Sequence, residues 1–176
     1  MRWLVLTVGL VIAIGAAASS ALAAQDQTPA KQDVFLYVDT VNGSRPVGVA
    51  PRPLSCTQTN NFKRGEQVVF RAWGSEAATG DILSTENVKS GVVQVPGVAE
   101  PLKLNWGAHG ATSNRVWFWT AAWVIPADYP LGTANVKVVI ETEAGKFARY
   151  DYSLTVTPSS ALKKGLKAKR ATARKK

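Results

Sequence analysis

One histidine and one cysteine in 176 residues exclude most of the chemistry from which active sites and metal centres are built. A lone cysteine closes no internal disulfide, so Cys56 is either an unpaired thiol or one half of an intermolecular bridge. Leu54, two residues back on the same strand phase, fits a buried and inert thiol. Copper in a cupredoxin-like sandwich takes two His and a Cys, and structural zinc takes four ligands. Cys56 and His109 are the only candidate pair for copper, zinc or haem iron, and they fill neither set without borrowing other ligands. No cofactor is expected. His109 is also the sole candidate base for a Ser-His-Asp arrangement; Ser113 lies close by in sequence, but no nucleophile elbow marks it. Asp128, Glu141, Glu143 and Asp151 are the carboxylates from which a glycosidase pair would be drawn. Glu141 and Asp151 fall on outward strand phases beside Lys137 and Arg149, as on a solvated charged face. No catalytic residue is assigned, and the chain is not expected to be an enzyme.

Long apolar runs are also scarce. The only one, residues 3–18, is broken by Thr7 and two glycines and is shorter than the roughly 20 residues that span a bilayer. It follows Met1-Arg2 and leads into Ala21-Leu22-Ala23, the small-x-small pattern read by signal peptidase. Residues 1–23 are therefore expected to be a cleaved signal peptide, and the mature protein to be periplasmic or secreted with no transmembrane span. Cys56 is far from that cleavage site, which argues against lipoprotein attachment.

Acidic residues are missing altogether from residues 158–176, which carry Lys163, Lys164, Lys167, Lys169, Arg170, Arg174, Lys175 and Lys176. With these eight and Arg2 of the leader set aside, twelve basic residues face twelve acidic ones. The sequence pI of 9.9 thus belongs to the tail, and the body is neutral. Leu162 and Leu166 are the tail's only sizeable apolar residues, too few to bury a core, so the segment is expected to be disordered. In an exported protein such a segment points to an anionic membrane surface, lipopolysaccharide or an acidic protein, with no nucleic acid expected. A solubility tail without a partner is the plainer alternative.

Between the polar lead-in, residues 24–32, and the tail, residues 33–157 are rich in Val, aromatics, Gly and Pro and have no helical periodicity. Residues 134–142 and 147–156 alternate apolar and polar with period two, as half-buried antiparallel strands do. Glu143-Ala144-Gly145-Lys146 joins them as a hairpin. Further strands are expected at 34–39, 54–59, 67–73, 88–95, 102–106 and 116–125, separated by turn chemistry such as Asn42-Gly43, Arg64-Gly65 and the glycine-rich stretch 107–114. The pattern predicts an all-β fold, an antiparallel sandwich of about seven to nine strands, with a closed barrel as the alternative.

The segment at 116–125 is apolar on both phases: Trp117, Trp119 and Trp123 on one, Phe118, Ala122 and Val124 on the other. Such a strand is either covered on both faces or carries an exposed aromatic platform. In the first case the indoles form the core against Trp73; in the second they stack on sugar rings or flat apolar ligands. Trp106 and the loop holding His109 immediately precede this strand, so the candidate ligand-binding set is Trp106, His109, Trp117, Trp119 and Trp123. His109, within Gly107-Ala108-His109-Gly110, is expected on an exposed loop.

The stretch Phe62-Lys63-Arg64-Gly65-Glu66 followed by Val68-Val69-Phe70-Arg71 resembles the start of an early strand in bacterial exported immunoglobulin-like domains. Trp123-Val124-Ile125-Pro126, then Tyr129-Pro130-Leu131-Gly132-Thr133, resemble their closing half. The resemblance covers residues 34–157 and implies a two-sheet immunoglobulin-like sandwich used for binding or spacing. The cysteine pair that often bridges the sheets of such domains is absent.

Overall fold

The computed structural model describes residues 33–110 and 112–159. The expected leader and lead-in, and the basic side chains from Lys163 to Lys176, lie outside the described residues. The elements in chain order are β1 (Val34–Asn42), β2 (Asn61–Lys63), β3 (Gln67–Glu76), β4 (Val88–Gln94), β5 (Leu102–Lys103), β6 (Asn105–His109), β7 (Val116–Val124), β8 (Gly132–Thr142) and β9 (Phe147–Thr157). They make two sheets, one of order β1-β3-β7-β6 and one of order β2-β9-β8-β4-β5. Every pairing is antiparallel except the short β2, which runs parallel to β9. The described residues contain no helix, so none is long and apolar enough to cross a membrane.

Alternation builds the core. Ala134, Val136, Val138 and Ile140 of β8 point inward and are buried, as are Val68, Phe70 and Ala72 of β3 on the facing sheet. Both sets belong to one continuous apolar cluster. Each of these valine, isoleucine and phenylalanine side chains contributes about 1.5–3 kcal/mol through burial. The β8–β9 hairpin closes at Gly145, whose φ of 73° suits a residue without a Cβ. Gly65, between β2 and β3, has φ 85°, and a Cβ there would lie 2.4 Å from the Val47 carbonyl oxygen. Glu66 of the same turn is buried and paired with Arg52 at 2.7 Å. Burial pushes its carboxyl up, but the hydrogen bonds from Arg52 and from the Lys63 N–H outweigh that and hold it below the usual range.

Two expected strands form differently. Residues 54–59 make only an isolated bridge, Val41 to Gln58. Backbone bonds join Cys56, Thr57 and Thr59 to Asn42 and Thr40, and the buried Asn42 side chain adds to them: its amide donates to the Leu54 carbonyl at 2.7 Å and its oxygen accepts from the Thr57 N–H at 2.9 Å. Cys56 sits between them at φ 58° and is exposed, not a buried strand thiol. Residues 102–106 are two strands. Leu104, 2% exposed, is the pivot at which the chain leaves one sheet for the other, so β5 pairs with β4 and β6 with β7.

Candidate functional site

β3 and β7 are paired from Gln67–Val124 to Ala72–Trp119 and then part, because β3 runs on to Glu76 beside a different neighbour. Residues 81–83 fold back along it: the Leu83 N–H donates to the Gly74 carbonyl and the Glu76 N–H to the Asp81 carbonyl, both at 2.9 Å. Gly74 permits this approach, since a Cβ there would meet the Leu83 side chain at 2.6 Å and the Phe35 carbonyl oxygen at 2.9 Å.

The gap between the diverging strands is a cleft of about 750 Å³. Its lining includes Phe35, Tyr37, Trp73, Ile82, Trp106 and Trp117, together with Arg115 and Val116. Five of the nine exposed large apolar side chains of the described residues, Phe35, Tyr37, Ile82, Val116 and Trp117, gather here. Scattered surface apolar residues are ordinary, but a concentration at one concavity marks a site of interaction.

The strand phase that carries the indoles runs from the cleft into the core. Trp117 is 53% exposed and Trp119 only 5%. The difference arises because β3 flanks β7 at Trp119 but has departed at Trp117. Trp106 bridges them, its ring 5.9 Å from that of Trp117 and 5.4 Å from that of Trp119. Trp123 is buried against the edge of Tyr129 at 4.9 Å. Trp119 and Trp123 therefore offer no ring face to solvent, while Trp106 and Trp117 line the cleft.

The opposite phase of β7 meets a second aromatic row on the outer face of the sheet. Ring centroids step from Tyr37 to Trp73 at 5.8 Å, Trp73 to Phe118 at 4.8 Å, and Phe118 to His109 at 4.2 Å, the last pair stacked within 13°. Trp73 is thus on the outer face and not among the core indoles. The Arg71 guanidinium lies over both Trp73 and Phe118 and forms a two-pronged pair with Asp39, Nε to Oδ1 at 2.7 Å. His109 is not on a loop but ends β6, half-buried. Burial and then the nearby Arg71 charge lower its pKa, so it is a neutral ring at pH 7, and no carboxylate among the described residues hydrogen-bonds it.

Cys56 lies in the loop beside β1, one edge of this sheet, and His109 on β6, the other edge, with Arg71 on a strand between them. The two candidate ligands are not brought to one site, and the described residues hold no group of three His, Cys, Asp or Glu placed to share an ion. Phe35, Tyr37, Trp73, Ile82 and Arg115 were not among the sequence candidates. The available signal was in β1, where Phe35 and Tyr37 alternate with Leu36 and Val38, so that both phases are apolar just as in β7. No protein-family model matches the chain, and no curated protein matches its sequence.

Proposed function

We propose that this chain is an exported, non-catalytic binding module of the immunoglobulin type, and that the aromatic cleft between β3 and β7 is its recognition site. The sandwich type is supported by the strand order. Lettered in chain order, with β2 and β5 as short additions, the sheets read ABED and GFC, the arrangement of immunoglobulin domains. The binding reading is carried by one observation, the gathering of exposed aromatic and aliphatic side chains around a single concavity of ligand-sized volume.

Flat apolar rings suit this cleft better than sugars. Sugar recognition pairs a stacking face with acidic or carboxamide side chains that bind adjacent hydroxyls. The lining, whose polar groups are Tyr37, Ser75, Arg115 and the indole N–H groups of Trp73, Trp106 and Trp117, contains no Asp, Glu, Asn or Gln. The basic tail is proposed to hold the module at an anionic surface and takes no part in the cleft. Calorimetric titration with 2-naphthalenemethanol, beside cellohexaose as the sugar probe, tests the reading. The naphthyl ligand is expected to bind with a dissociation constant of about 1 mM or tighter, and Trp117→Ala to weaken it about tenfold. Binding of cellohexaose alone, or naphthyl binding indifferent to Trp117, would overturn it.

A further inference from the structure

We infer that the cleft is specific for small, flat ligands that carry a carboxylate, with Arg115 as the residue that selects the charge; this rests on the cleft being a binding site at all. Arg115 stands one residue before β7, two residues from Trp117 on the same phase, and is exposed. It is the only charged side chain in the cleft lining.

The other arginines show why it is distinctive. Arg52, Arg71 and Arg149 are paired with Glu66, Asp39 and Asp151, and Arg64 donates to the backbone carbonyls of Tyr129 and Asp128. Among the described residues only Arg45 and Arg115 have guanidinium groups without a hydrogen bond or ion pair, and Arg45 is not in the cleft. An unengaged guanidinium beside apolar walls is a fork of donors matched to a carboxylate. The rings of Trp106 and Trp117 supply the flat contact, and the single cation fixes which end of the ligand enters. No acidic side chain lines the cleft to compete for Arg115 or to welcome a cationic ligand.

The test compares three ligands of one shape: 2-naphthoate, 2-naphthalenemethanol and 2-naphthylmethylammonium, titrated into the full chain and into Arg115→Gln. The anion is expected to bind about fivefold more tightly than the alcohol, and the cation more weakly than the alcohol. Arg115→Gln should bring the three within about twofold of each other, with an unchanged melting temperature because the exposed guanidinium makes no hydrogen bond or ion pair among the described residues. Equal binding of anion and alcohol by the native protein, or a preference for the anion that survives in Arg115→Gln, would overturn the charge selection while leaving the cleft as a site for neutral rings. Failure of all three ligands to bind would remove both.

Discussion

The indole N–H of Trp119 donates to the carbonyl oxygen of Leu83 at 2.8 Å, joining residues 36 apart in sequence in a buried hydrogen bond. This bond ties the returning segment 81–83 to β7 just where β3 and β7 separate, and so fixes the inner end of the cleft. Trp119→Phe keeps a ring and removes the donor, leaving a buried carbonyl unsatisfied at a cost of about 1–3 kcal/mol. Urea unfolding should show this loss. Trp123→Phe is the control, since the Trp123 indole makes no hydrogen bond among the described residues, and it should cost less. Equal costs would mean that ring volume, and not the bond, matters at Trp119.

His109 predicts a pH dependence near neutrality. Its pKa in the folded protein lies below the unfolded value of about 6.5, because burial and then Arg71 disfavour the imidazolium. The unfolded chain therefore binds more protons in this window, and stability falls as pH drops below about 6.5. Glu66, whose pKa is lowered, acts in a separate and more acidic window, below the ordinary carboxylate value. Urea midpoints should fall between pH 7.5 and 5.5 in the native protein, and His109→Phe, which retains the stack on Phe118, should flatten that slope. An identical slope in both proteins would contradict the assignment.

Cys56 predicts a reactive thiol at a strained position. It is exposed and has a left-handed backbone, a conformation that costs a residue with a Cβ about 1–2 kcal/mol. The folded protein should react with one equivalent of Ellman's reagent without denaturant. Cys56→Gly should raise stability by about 0.5–1 kcal/mol, seen as a higher urea midpoint. A thiol that reacts only after unfolding would be incompatible with its placement.

The tail predicts a separation of attachment from folding. A chain ending at Ser159 should melt as the full chain does and lose its retention on vesicles of phosphatidylglycerol. Each basic residue close to such a surface contributes about 1 kcal/mol at most, and salt screens it. Retention of the truncated chain at low salt equal to that of the full chain would refute the tether.

Legibility in the sequence followed local periodicity. β8 and β9 were readable because each has one wet and one dry face, and period two then shows directly. The 54–59 segment forms no regular strand because its backbone bonds to Thr40 and Asn42 of β1 are interleaved with two bonds to the Asn42 side chain, twelve or more residues away, a contact with no local signature. The division of 102–106 was hidden for a related reason: Lys103-Leu104-Asn105-Trp106 alternates as one strand would, and only the facing sheets decide that Leu104 is a pivot. In the site, the doubly apolar phase of β7 pointed to Trp106 and Trp117 but could not separate Trp117 from Trp119. Their difference comes from where β3 diverges, which is a property of the sheet. The outer row of Tyr37, Trp73 and Phe118 escaped because Arg71 among them makes an aromatic face look like an ordinary mixed one.

The most direct test of the cleft as the recognition site is the set of indole N–H resonances followed by nuclear magnetic resonance as 2-naphthalenemethanol is added. The account predicts the largest shifts at Trp73, Trp106 and Trp117, which line the cleft, a smaller response at Trp119 through its contact with Trp106, and none at Trp123, which packs on Tyr129 away from the cleft. Shifts centred on Trp123, or no shift at Trp117 under saturating ligand, would contradict it.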